Sequence, residues 1–167
     1  MKLRSVLFTV VLLLLAATVC AAQSPMGFSS SEFFRDYVGV STIMFDEPRC
    51  CYSPTDDDTG ALITVGEHAY IYLSYSGDNV TEVDHAFVYS NNNDTSMEDA
   101  IYSVFTTFAV LGHISGEDDK YNDIEVLKNQ FTELMNQLEL DIYGYHMELA
   151  GNKEDGTVTG LIMITKK

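Results

Sequence analysis

Four histidines carry the clearest options for proton transfer or metal ligation: His68, His85, His113 and His146. Three have an acid close in sequence. Glu67 precedes His68, Asp84 precedes His85, and Glu148 lies two residues after His146. An imidazole becomes a general base when a partner orients it, and part of a zinc site when two or three more ligands converge. Adjacent residues on a strand face opposite ways, so the first two pairs do not meet directly. His146 and Glu148 share a face if they lie on one strand. Spacing alone assembles no metal centre here, and no metal or cofactor is expected.

Nucleophiles are harder to place. Ser76-Gly77-Asp78 and Ser115-Gly116-Glu117 read as turns, and neither is the GxSxG elbow of serine hydrolases. Cys50 or Cys51 would need a remote histidine as base. These two cysteines are neighbours, so they read as a strained vicinal disulfide, two free thiols, or links to another chain. They are not a CxxC pair. Neither GxGxxG nor GxxxxGK[ST] occurs, so phosphate cradles of those kinds are not indicated. Asp56-Asp57-Asp58 lacks the alternate spacing of an EF-hand loop and reads as a solvated turn. Acids are too frequent for a catalytic carboxylate pair to stand out.

Aromatic residues offer a binding surface instead. Tyr70 and Tyr72 fall two apart, as do Tyr143 and Tyr145, and strand periodicity puts each pair on one face. If the two strands are close, four rings form a platform suited to a ligand or partner. Asn79-Val80-Thr81 and Asn93-Asp94-Thr95 are N-glycosylation acceptor motifs, relevant in a eukaryotic secretory pathway.

The elements that must position these groups follow from periodicity. Met97, Ala100, Ile101, Val104, Phe105, Phe108 and Leu111 recur at spacings of three and four, which predicts a helix over 96–111. Thr95 and Glu98 have the capping-box spacing at its start, and Gly112 is a stop signal. Its other side, with Ser103, Thr106, Thr107 and Val110, carries no charge, so that side is expected to be covered too. A second helix is predicted over 123–140, capped by Asn122, with Ile124, Leu127, Phe131, Leu134, Met135 and Leu138 on its apolar stripe. A short helix begins after Ser29, with Glu32 completing a capping box, and ends near Gly39. Strands are predicted over 40–45, 61–65, 68–76, 80–90, 142–150 and 157–165, with a loop over 47–60. Strands grouped apart from helices indicate an α+β fold: an antiparallel sheet of about six strands with a helical pair on one face.

Charge bounds the partners. Lys2 and Arg4 precede an apolar run over 6–19, and small residues follow at Ala21 and Ala22, the three parts of a secretory signal peptide over 1–22. The run is shorter than the roughly 20 residues of a spanning helix. A retained anchor and lipidation at Cys20 are the alternatives. Cleavage leaves a leader over 23–30 and one domain over 31–167. It also leaves seven basic residues against 25 acidic ones, a net of −18. Phosphate backbones and anionic membranes repel such a chain, so neither nucleic acid nor a membrane is an expected partner after cleavage. The expectation is a secreted acidic binding domain without catalytic activity and with a cationic protein partner. The alternative is a small extracytoplasmic hydrolase using His and acidic residues.

Overall fold

Among the described residues, seven antiparallel strands and three helices form an α+β fold with one strand more than expected. The computed structural model describes residues 24–46, 48–55, 59–90, 92–117 and 121–167. The signal segment over 1–22 and the acidic run Asp56-Asp57-Asp58 lie outside them. The order is α1 (Ser30–Phe45), β1 (Cys50–Pro54), β2 (Gly60–Val65), β3 (Ala69–Ser76), β4 (Asn79–Ser90), α2 (Asp94–Ile114), α3 (Ile124–Gln137), β5 (Glu139–Ile142), β6 (Tyr145–Glu154) and β7 (Thr157–Lys166). Across the sheet the strands run β1-β2-β3-β4-β7-β6-β5. Two meanders thus meet along the β4–β7 seam, in register from Glu82↔Thr165 to Ser90↔Thr157.

One face of the sheet carries Ile63, Ile71, Leu73, Val83, Phe87, Met147, Ile162 and Ile164, all buried in the core. The helices lie on that face. Helix α2 is central, and Ser103, Thr106, Thr107 and Val110 are as buried as Ala100, Val104, Phe105, Phe108 and Leu111 of its apolar stripe, whereas Met97 and Ile101 are exposed. Its uncharged side is therefore covered, as the sequence implies. Its cap is not the expected Thr95–Glu98 box. Asn93 caps it, the side-chain Oδ1 accepting from the Ser96 amide at 3.2 Å. Nor does α2 stop at Gly112, where a Cβ would meet Tyr121 Cβ at 2.8 Å. That glycine lets the neighbouring rings approach.

Helix α1 corrects the expected strand over 40–45. The Ser29–Glu32 capping box forms as expected, with Glu32 N donating to Ser29 Oγ at 3.2 Å and Ser29 N donating to the Glu32 carboxylate at 2.8 Å. The helix then runs through Gly39 to Phe45. Phe33, Tyr37, Val40 and Ser41 are its buried residues, a helical spacing that continues past the glycine. Ser41 and Thr42 hydroxyls both donate to the Val38 carbonyl, at 3.0 and 2.8 Å. Core packing thus overrides the strand preference of these residues. The helical pair becomes three helices. Of the expected flexible leader over 23–30, the described residues are docked rather than loose: Met26 and Phe28 are buried, and both bond to the Val80 backbone, at 2.8 and 2.9 Å.

Two further corrections concern strands. The loop over 47–60 contains β1, which pairs with β2 from Cys50↔Val65 to Pro54↔Ala61. The expected strand over 142–150 is split by a turn at Tyr143-Gly144, whose φ angles are 54° and 77°. Two left-handed residues make the two-residue turn that matches strand twist. The first arm of this hairpin, β5, takes over the end of the second predicted helix. Asp123, not Asn122, caps α3, and Leu138 terminates it at φ 66°.

Candidate functional site

Register places the titratable residues of the sheet's other face. Opposed residues share a face, and neighbouring strands lie about 4.8 Å apart. Glu82 opposes Thr165, Thr165 opposes His146, and His146 opposes Asp141. The next row runs Tyr72, Asp84, Met163, Glu148 and Glu139. Five carboxylates and one imidazole are therefore gathered on the face away from the helices. Tyr70 and Tyr72 lie on the same face, next to the acids of β4.

At the β5–β6 hairpin these groups are linked. His146 Nδ1 lies 2.7 Å from Asp141 Oδ1, and His146 Nε2 lies 3.2 Å from Glu148 Oε1. Lys167 Nζ donates to Asp141 Oδ2 at 2.8 Å. Asp141, then burial and Glu148, act on the ring, and the net effect raises the His146 pKa. Lys167 first, then His146, holds the Asp141 carboxyl below its usual range. Bonding through both nitrogens to carboxylates favours the doubly protonated ring, and in that form neither nitrogen has a lone pair to act as a base.

Asp84 behaves differently. Burial among its strand neighbours, then the nearby Glu82, push its pKa up to about 7. On the opposite side of the same strand, His85 is fully buried, and burial pushes its pKa down to about 3. Ser103 Oγ donates to the Ala100 carbonyl at 3.0 Å, so His85 Nε2–H donates to Ser103 Oγ at 2.9 Å. His85 Nδ1 then has no partner among the described residues. This Ser–His pair is sealed in the core, where no substrate reaches it.

The remaining histidines lie elsewhere. His68 Nδ1 is 2.8 Å from Asp99 Oδ2, which also accepts from the Glu67 amide at 3.1 Å. That buried aspartate ties the β2–β3 turn to α2. The His113 ring packs on Tyr121 at 5.0 Å. Among the described residues, no hydroxyl or thiol lies within hydrogen-bond distance of His68 or His146, and no three metal-ligating side chains converge.

The four-tyrosine platform is not assembled. Tyr145 points to the helical face, 1% exposed, with its hydroxyl donating to the Met26 carbonyl at 3.3 Å and Lys166 Nζ 4.5 Å from the ring centroid. Tyr143 sits in the hairpin turn, and its hydroxyl accepts from Gln130 Nε2 at 2.7 Å. Of the four, Tyr70 and Tyr72 share the face away from the helices, where both are partly exposed. Nor do Cys50 and Cys51 form the vicinal disulfide: both are free thiols in β1, and a strand turns successive side chains to opposite faces. Burial, then Cys51, pushes the Cys50 thiol up to about 11, which disfavours the thiolate. Asn79 is exposed at the start of β4, and Asn93 is exposed while its side chain caps α2.

A cleft of about 980 Å³ separates the start of α1 from the β3–β4 turn. Of the charged groups lining it, Glu32 serves the α1 cap and Arg35 pairs with Asp36 at 2.9 Å. Compared with protein-family models, curated proteins and solved structures, the chain has no match in any of the three.

Proposed function

We propose that the chain is an exported binding domain without catalytic activity, whose acidic sheet surface over β5 and β6 receives a cationic protein partner. The carrying observation is the registered cluster on β5 and β6 that gathers the exposed Glu139, Asp141 and Glu148 around a single imidazole, with the half-buried Asp84 of β4 in the same row. Like charges on one face repel, and a cationic partner relieves that repulsion. Tyr70 and Tyr72 beside them supply aromatic surface, which suits lysine or arginine side chains. The excess of 25 acids over 9 bases extends the same preference to long range, where it raises association rates.

The test is binding of polylysine to the chain lacking residues 1–22, at about 20 mM and about 500 mM salt, where screening differs several-fold. Binding at low salt, lost at high salt and weakened in the Glu139→Gln, Glu148→Gln double variant, supports the reading. Absence of binding at low salt, or indifference to the double variant, rejects it.

A further inference from the structure

The sheet has two outer edges, and they differ. On one side β1 is short and ends in Pro54, which blunts an edge. On the other side β5 covers only the first part of β6, from Tyr145 to Glu148. Strand β6 continues to Glu154, and residues 150–154 are exposed. The Leu149 amide donates outward to the Leu138 carbonyl at 2.8 Å. Backbone groups alternate sides along a strand, so the N–H and C=O of Gly151 and Lys153 also point outward. Beyond Leu138 the chain leaves that lane for α3, and no described strand takes its place.

Where the lane opens, a notch of about 340 Å³ lies on the face away from the helices, with Glu139, Glu148, Ala150 and Met163 in its lining. Glu139 and Glu148 are directly opposed cross-strand partners. Opposed like charges destabilise a strand pair, and of these two carboxylates His146 bonds Glu148 and not Glu139. Met163 and Ala150 offer an apolar wall for an aliphatic stem, and the two carboxylates offer a seat for its charged head.

We propose that the outer edge of β6 over 150–154 accepts an extended basic segment of a partner protein as an eighth strand, with one Lys or Arg side chain seated between Glu139 and Glu148. The backbone edge supplies affinity and the notch supplies selectivity, the division of labour in strand addition. A second copy of this chain is the competing occupant. Its own charge of −16 disfavours it. This inference rests on the cationic-partner reading and specifies where and how that partner docks.

The probe is an eight-residue alternating Lys–Val peptide, added at low salt to the chain lacking residues 1–22. Amide hydrogen exchange is read residue by residue. In the free protein the Gly151 and Lys153 amides exchange fast, while the alternate amides Asn152 and Glu154, facing β7, are slower. The peptide is expected to protect Gly151 and Lys153. Lys153→Pro removes one outward donor and makes the protein more negative. It is expected to weaken binding about fivefold to tenfold, the equivalent of one net hydrogen bond. Glu139→Gln is expected to weaken it several-fold with the edge intact. Peptide binding without protection at Gly151 and Lys153, or unweakened by Lys153→Pro, overturns the docking mode and leaves the cationic-partner reading standing. Protection of these amides by self-association overturns the choice of occupant. No binding at low salt overturns both readings.

Discussion

Replacing Asp84 by Asn isolates one carboxylate's effect on stability. Asp84 titrates near 7 in the fold against an ordinary 3.8, so the folded state resists its ionisation. One unit of that gap is worth about 1.4 kcal/mol. The folded state holds the extra proton between about pH 4 and pH 7, so this group's contribution falls as pH rises through that window. Above pH 7 the ionised group destabilises the fold by on the order of 4 kcal/mol, and below pH 4 it has no effect. The adjacent His85 works in the opposite sense. Its pKa near 3, against an ordinary 6.5, means that the unfolded chain binds a proton first as pH falls. Stability is lost from pH 6.5 downward by about 1.4 kcal/mol per unit. Between about pH 4 and 6.5 the two slopes cancel. Urea denaturation of Asp84→Asn against the parent is expected to give almost no difference near pH 3.5, about 2 kcal/mol of added stability at pH 5.5 and about 4 at pH 8. The variant itself becomes visibly acid-labile, because the histidine slope is no longer masked. A difference that does not change with pH, or a loss of stability at pH 8, refutes the assignment of Asp84 to a site that opposes its charge.

Ser103→Ala leaves the buried His85 Nε2–H unpaired and is expected to lower unfolding free energy by about 1–3 kcal/mol, read by urea denaturation at neutral pH. Asp99→Ala removes the acceptor for both the His68 ring and the Glu67 amide. It is expected to cost about 2–3 kcal/mol and to speed exchange of the Glu67 amide selectively. Gly160→Ala drives a methyl group into the Phe87 ring. The expected loss is about 1–3 kcal/mol, seen as a lowered Tm with displaced Phe87 ring signals by NMR. Asn93→Ala, which removes the α2 cap, is expected to cost about 1 kcal/mol, whereas Asn93→Asp keeps the acceptor and most of the stability.

Much of the architecture was legible where periodicity was long and the chain neighbours also pair. The 21 residues of α2 declared their uncharged second side, which is buried, and most of their apolar stripe, of which Met97 and Ile101 are exposed. The hairpins β2–β3, β3–β4 and β6–β7 follow from alternation and short turns. Legibility failed where local preference and packing disagree. Val40 to Phe45 has the residue types of a strand, yet Phe33, Tyr37 and Val40 keep a helical spacing toward the core. Cys50 to Pro54 has no clean alternation, because an edge strand shows little of it. Tyr143-Gly144 looked like the interior of one strand, and only its left-handed backbone makes it a turn. The tyrosine platform failed with that turn. His146 and Glu148 do share a face, as spacing indicates. The rows of acids were invisible, because Asp84 and Glu148 come together only through β7, and no local pattern gives strand order across the sheet.

Strand β7 follows every other strand along the chain yet sits inside the sheet, between β4 and β6. During synthesis on the ribosome, both meanders must therefore wait with bare inner borders until it emerges. The β4 border is a long run rich in β-branched and aromatic residues, the kind of surface that captures stray strands. Closure also joins residues far apart in sequence, which slows it through the entropy of ordering the intervening helices. A chain nicked or shortened before β7 would lose more than its length suggests, because this strand is the one that holds the two halves together.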